Sequence, residues 1–269
     1  MTFSIERKTA IVTGAANGVG LSIARHFADK GANVMFADMD ERRLEKEVGA
    51  LAEKEDNVRL FGGDLRERLT IANLLSTTID AFDRVDILVN ASRQCSTCDP
   101  LASDDDTIET MLQQNLLTSL RLSQTIARRM IAQAEEAGET GRSIGSIVNL
   151  SSIAARRTQP QLLAYSVSTA ALDQLTRSLA VALAEHRIRV NAVAFGSVMS
   201  ASLKDRIRDN EDFRDEITEH TPLARIGSPG EVAEAAQFLA SDAAAFMTGQ
   251  IVTIDGGRTL LDPVSAPAH

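Results

Sequence analysis

The chain contains no tryptophan, a single tyrosine and two cysteines. So little aromatic surface leaves few means of stacking a large planar ligand and directs attention to small or polar substrates. Two cysteines do not make a disulfide framework. No run of roughly eighteen apolar residues occurs, so no membrane span is expected. The opening residues, MTFSIERKTAIVTG, lack the basic-then-apolar layout of a secretory signal, and a cytoplasmic protein is the expectation. Positive charge is in deficit: 28 Lys and Arg stand against 37 Asp and Glu, a net charge of −9. That balance argues against nucleic acid as a partner. The four histidines show no metal-ligand spacing. Cys95 and Cys98, in CSTC, fall short of the four ligands a structural zinc takes, so no metal is expected. Two idle thiols are the plain reading of that pair, a redox role the sharper one. There is no G-x-S-x-G, and a serine hydrolase finds no support.

What the chain does have is alternation. Apolar, β-rich runs at 9–14, 32–38, 58–64, 85–90, 145–151, 188–194 and 249–257 are separated by helical patterns, among them 18–30, 40–55, 104–135 and 160–185. Near-continuous apolar strands between helices predict an α/β fold with a parallel sheet covered on both faces. The 269 residues, 44% of them hydrophobic, show no repeat, linker or composition break, so one domain is expected over 1–269. The polar EEAGETGRSIG reads as a solvated loop. The tail, about 260–269, reads as loosely held or packed on a neighbouring subunit.

The first motif is TGAANGVG, residues 13–20, between a predicted strand and a predicted helix. Gly14, Gly18 and Gly20 let the backbone turn sharply and approach a ligand, and a helix start offers N–H groups and partial positive charge to a pyrophosphate. The alternative is a tight strand–helix turn with no ligand. No Gly-Lys-Ser/Thr closes the motif, so it is not a P-loop. Asp38 ends the second strand, twenty residues after Gly18. A carboxylate there accepts the hydroxyls of an adenosine ribose and repels a 2′-phosphate, which favours NAD over NADP. Arg42 and Arg43 follow, where an arginine could accept a phosphate; at a helix start they are read as facing water. Asp64 ends the third strand, placed either to meet an adenine edge or to cap a helix.

Ser152 and Tyr165 form the third element. A hydroxyl near a phenol suits proton transfer to or from a substrate oxygen while hydride moves at the adjacent carbon. Tyrosine in water ionises near pH 10, so only about one in a thousand is tyrosinate at pH 7 unless a cation intervenes. Singly, each residue is as well explained by packing.

Taken together, TGAANGVG, Asp38, Asp64, Asn115, GSIVNLSS, Tyr165, RVNAVAFGSV and GQIVTIDGG resemble the short-chain dehydrogenase/reductase family over essentially the whole chain. The resemblance implies a single Rossmann-type, doubly wound domain, assembled as a homotetramer or homodimer, that exchanges hydride between a nicotinamide and an alcohol or carbonyl substrate. By position Tyr165 is the acid/base, Ser152 the partner of the substrate oxygen, and Asn115 the holder of a water in the proton relay. The dinucleotide falls to Gly14, Asn17, Gly18, Val19 and Gly20, to Asp38, Asp64, Leu65 and Asn90, and to Gly196, Val198 and Ser200. The stretch 197–225, charged and helical in pattern over 201–220, covers the substrate in this reading; a solvated helical hairpin is the alternative.

Three positions depart from the family pattern. Tyr-x-x-x-Lys ends here in Thr169, so the cation that holds the nicotinamide ribose and lowers the tyrosine pKa is missing. Asn-Asn-Ala-Gly reads Asn90-Ala91-Ser92-Arg93, with a bulky arginine where glycine lets the ribose approach. Phe195 replaces the proline before Gly196. Arg93 either turns into the space the lysine vacates or stays solvated, as do Arg156 and Arg157, alternatively partners for an acidic substrate. Two functions follow: an NAD-dependent oxidoreductase with an altered tetrad, or a weak or inactive relative that binds dinucleotide or serves in assembly or regulation.

Overall fold

Strand and helix alternate along the whole chain. In the computed structural model, which describes residues 2–262 except 103, 141–142, 201–202, 205–206, 209 and 211, the strands are β1 (Thr9–Thr13), β2 (Asn33–Asp38), β3 (Val58–Gly62), β4 (Ile87–Asn90), β5 (Gly145–Ser152), β6 (Ile188–Phe195) and β7 (Ile251–Ile254). The principal helices are α1 (Gly18–Asp29), α2 (Glu41–Ala52), α3 (Arg68–Phe82), α4 (Thr107–Met111), α5 (Thr118–Glu136), α6 (Leu163–Ala184), α7 (Asp212–Glu219) and α8 (Pro229–Ala240).

All seven strands are parallel, in the order β3-β2-β1-β4-β5-β6-β7. Period-two alternation sends neighbouring side chains to opposite faces. Ala10 and Val12 of β1 join one core with Ile23 and Phe27 of α1 and Val232 of α8. Ile11, between them, joins the other with Leu74 of α3 and Ile126 of α5. Both faces are therefore dry, which is why the strands read as continuous apolar runs. β1 lies between β2 and β4, so chain order reverses there. The carboxyl ends of β1 and β4 flank the crevice where open α/β sheets bind ligands.

Most expected elements are present, with shorter ends. β1 stops at Thr13 because Gly14 has φ +65. The expected helix over 104–135 is not continuous. Between α4 and α5 the turn Leu112–Leu117 is a π-helix, and Thr118 Oγ1 donates to the Gln113 carbonyl at 2.9 Å. Such turns often mark functional sites, and this one presents Gln114 and Asn115. Of the pattern over 201–220, the described helical residues are 203–204, 207–208 and those of α7. The tail beyond 262 lies outside the described residues. Among the described residues no helix is long and apolar enough to cross a membrane.

Candidate active site

The crevice at the switch point is a cavity of about 530 Å³ lined by Gly14, Asn17, Gly18, Val19, Gly20, Asp38, Ala91, Ser92, Arg93, Gln94, Cys95, Gln114 and Ser200 among others. Its floor is the turn from β1 into α1. A Cβ on Gly14 would lie 2.7 Å from the Ala91 carbonyl oxygen and 2.8 Å from Ser92 Cα, so only glycine lets the two loops meet. Asn17 precedes α1 without a side-chain cap bond, and no acidic residue occupies its first turn. The N–H groups there and the helix dipole both favour an anion.

Asp38 stands at the mouth of this turn. Its Oδ2 accepts from Ala16 N at 2.9 Å and its Oδ1 from Asp40 N at 3.0 Å. A carboxylate has about four acceptor positions, so each oxygen retains capacity for a ribose hydroxyl. Asp64 does not reach the cavity. Arg66 Nη2 donates to its Oδ2 at 2.6 Å and Arg66 N to its Oδ1 at 3.0 Å. The Arg66 guanidinium holds this carboxyl below the ordinary range. Glu67, not Asp64, precedes the first residue of α3. The Leu65 side chain is buried in the second core.

The loop after β4 is the far wall, and its backbone is fastened at several points. Thr13 Oγ1 accepts from Ala91 N and Ser92 N, both at 3.0 Å. Gln114 Nε2 donates to Ser92 Oγ at 2.9 Å. Asn115 clamps Gln94 in both directions: Oδ1 accepts from Gln94 N at 2.8 Å and Nδ2 donates to the Gln94 carbonyl at 3.0 Å. Asn115 Nδ2 also reaches Ser168 Oγ on α6 at 3.0 Å. Asn90 is buried in the sheet, donating to Ser123 and Asn149.

Arg93 sits between these fixings, and its side chain does not point to solvent. Nη1 donates to Tyr165 Oη at 2.7 Å and lies 3.4 Å from the Ser151 carbonyl. The guanidinium carbon stands 4.0 Å from the centre of the Phe195 ring, a cation–π distance. Tyr165, near the start of α6, is only 4% exposed. Ser152 is buried too, its Oγ accepting from Ala154 N at 3.1 Å in the turn after β5. Thr169, 1% exposed, bonds back to the carbonyls of Tyr165 and Ser166. Arg156 reaches Thr253 Oγ1 at 3.3 Å.

The crevice thus gathers the glycine-rich turn, Asp38, Ser200 and Arg93, with Tyr165 held beneath the guanidinium. Gly196 and Val198 line a neighbouring cavity of about 460 Å³ instead, with Gly256 and Gly257 after β7. Val198 pairs with Gly227 in an isolated parallel bridge. Cys95 lies in the crevice wall, and among the described residues no group of His, Cys, Asp and Glu is arranged to hold a metal. Sequence reasoning missed Thr13, Ser92 and Gln114. Thr13 was inside the first motif, but nothing in the chain announces a π-turn that swings Gln114 toward the loop.

A family model described as enoyl-(acyl carrier protein) reductase matches residues 14–259. An L-rhamnose 1-dehydrogenase (NAD(P)(+)) of Sphingomonas sp. is 32% identical over 257 residues, 94% of this chain and 96% of that protein. Among solved structures, a 7α-hydroxysteroid dehydrogenase complexed with NADH and 7-oxo glycochenodeoxycholic acid superposes with a TM-score of 0.86 at 30% identity, over 95% of this chain and 96% of the other. A gluconate 5-dehydrogenase of Burkholderia cenocepacia in complex with NADP and tartrate gives 0.86 at 26%, over 97% and 98%.

Proposed function

Because the chain belongs to the short-chain dehydrogenase/reductase family, an oxidoreductase family that uses a nicotinamide dinucleotide, we propose that it exchanges hydride between NAD and a small alcohol or carbonyl compound. One observation carries the reading. The uncapped start of α1, Asp38 and the guanidinium on the sole tyrosine all border one crevice at the switch point.

The residues present fit the dinucleotide at its adenosine end. Asp38 would accept ribose hydroxyls, and Gly14 to Gly20 would bring backbone N–H groups to the pyrophosphate. The steroid dehydrogenase is complexed with NADH and the gluconate dehydrogenase with NADP; the carboxylate of Asp38 favours NAD here. Ser200, which also lines the crevice, would supply a hydroxyl toward the phosphates. Asp64, Leu65, Asn90, Gly196 and Val198 are assigned to the dinucleotide by their place in the family pattern; Gly196 and Val198 line the neighbouring cavity.

When bound, the nicotinamide supplies the hydride donor or acceptor. The chain manages the proton. In alcohol oxidation the Tyr165 phenolate would take the hydroxyl proton and become the phenol; in carbonyl reduction the phenol would give that proton to the substrate oxygen and become the phenolate. Ser152 hydrogen-bonds the substrate oxygen. Asn115 holds the loop that carries Arg93. Copies of the chain associate as a homotetramer or homodimer through α6, whose Val181 is 80% exposed.

A second reading has its own support. Tyr165 is buried and Arg93 lies over it, so a protein that binds dinucleotide without turning over is the competitor. NAD⁺ reduction assayed over small polyols, sugars and hydroxy acids separates the two. We expect turnover that falls about 10²–10⁴-fold in Tyr165→Phe, the usual weight of a proton-transferring group, with NADH binding retained. Binding with no turnover on any class would leave the second reading standing, and unchanged turnover in the variant would remove Tyr165 from the proton's path.

A further inference from the structure

We propose that Arg93 is a catalytic residue that replaces the family's lysine: its guanidinium supplies the positive charge at Tyr165 Oη that Thr169 does not. The inference rests on the reading of Tyr165 as the proton-handling group. Of the three positions that depart from the family pattern, Arg93 meets the Phe195 ring and the Tyr165 phenol, while Thr169 bonds to the Tyr165 carbonyl. Thr169 has turned its hydroxyl into its own helix. Phe195 offers the ring on which the guanidinium stacks, at 4.0 Å. The guanidinium ends 2.7 Å from the phenol oxygen.

This placement is built by the backbone. The residues either side of Arg93 are tied down, Ser92 by Thr13 and Gln114, Gln94 by both ends of the Asn115 amide. With its backbone fixed, the side chain loses less freedom in reaching Tyr165 than one on an unrestrained loop. An arginine stays charged and only donates. The phenol oxygen is therefore the acceptor in the 2.7 Å bond, with the guanidinium charge against it. Lysine can pass a proton onward and arginine cannot. The phenol's proton thus leaves by a route other than the guanidinium.

Other ionisable side chains on the elements around the start of α6 include Cys95 and Cys98 in the same loop, Glu109 on α4, Arg156 after β5 and Asp173 on α6. Arg156 and Asp173 attract one another, and the hydrogen bond to the phenol comes from Arg93. Tyr165 is the sole tyrosine and tryptophan is absent, so the ultraviolet absorbance of tyrosinate reports this one group. We would titrate the full-length wild type with Arg93→Ala, Arg93→Gln and Arg93→Lys, restricting the comparison to the pH range over which circular dichroism shows each folded. The tyrosinate signal in the Ala and Gln variants is expected at higher pH than in wild type, because the charge against the phenol oxygen is gone. The Lys variant is expected nearer the wild type. Should Arg93→Ala fail to fold, Arg93→Gln, which keeps bulk and donors without charge, decides. Coincident wild-type and Gln titrations would overturn the proposal. NADH binding, followed separately by fluorescence, keeps the outcomes apart: its absence contradicts the proposed function and leaves the titration result intact.

Discussion

Thr169 Oγ1 lies 3.0 Å from the carbonyl oxygen of Tyr165 and 3.1 Å from that of Ser166. The hydroxyl at the family's lysine position is thus engaged within its own helix, one turn from the residue it would be needed to assist. Back-bonding of this kind is a local solution open to threonine and closed to lysine. It leaves the corner above Tyr165 to a cation from another element.

Thr169→Ala should therefore be mild. It removes a bond inside the helix and gains helix propensity, and thermal unfolding should move by no more than about 1 kcal/mol. Thr169→Lys should behave differently, since it brings a second cation against Arg93 in a buried position. We expect about 1–3 kcal/mol of destabilisation and no gain in turnover. The double variant Arg93→Gly with Thr169→Lys, which recreates the family pattern, should regain stability relative to Thr169→Lys alone. Equal stability of the single and double variants, measured by denaturant unfolding, would show that the two positions do not compete for one space.

Gly14 separates steric from conformational cost. Gly14→Ala would set a Cβ against the Ala91 and Ser92 backbone at φ +65, whereas Gly138, at φ +61, has nothing within 4 Å. Both substitutions carry backbone strain of about 1 kcal/mol. Gly14→Ala alone forces the turn from β1 and the loop after β4 apart, so it should cost about 1–3 kcal/mol more and weaken NADH binding. Gly138→Ala should leave NADH binding unchanged. Matching losses at the two sites, by calorimetry and fluorescence titration, would contradict the close approach.

Acid sensitivity has a defined contributor at the start of α8. Ser228 and Glu231 form a capping box, and Arg225 Nη2 donates to Glu231 Oε1 at 2.6 Å. Led by the Arg225 bond, these contacts lower the Glu231 carboxyl from 4.5 to about 2. A depressed carboxyl stabilises the fold above its unfolded value and loses that contribution as pH falls through the folded one. Glu231→Gln should therefore lower the unfolding temperature at pH 7 and approach wild type near pH 2. The pair is solvent-facing, so the effect is modest and shrinks with salt. A constant difference across that pH window would exclude the carboxylate as the cause.

The fold was legible because burial on both sheet faces writes itself as apolar runs, and Gly14, Gly18, Gly20 and Asp38 belong to one contiguous strand–turn–helix–strand unit. Sequence spacing therefore carries their geometry. Arg93 was legible only as a residue in an unusual place, with two destinations open, because the direction of a loop side chain depends on distant partners. Those partners are Phe195, more than a hundred residues on, and Tyr165. The resemblance gives Asn115 a water in the proton relay; that its amide also clamps Gln94 and Ser168 has no mark in the sequence. The π-turn that positions it has no signature in residue type. Asp64 is placed in the sequence by the end of the third strand and by the family pattern, and neither shows that Arg66, two residues away, takes up its carboxylate.

The most direct test of the whole account is the binding of NADH and NADPH by wild type and Asp38→Asn, followed by nicotinamide fluorescence. Asparagine keeps an acceptor for Ala16 N and removes the charge. The wild type should bind NADH in preference to NADPH. Loss of a charged hydrogen bond, about 1.5–3 kcal/mol, should weaken NADH about 10–100-fold in the variant and narrow the gap to NADPH. Wild-type protein that binds neither dinucleotide, or binds NADPH preferentially with Asp38→Asn unchanged, would contradict it.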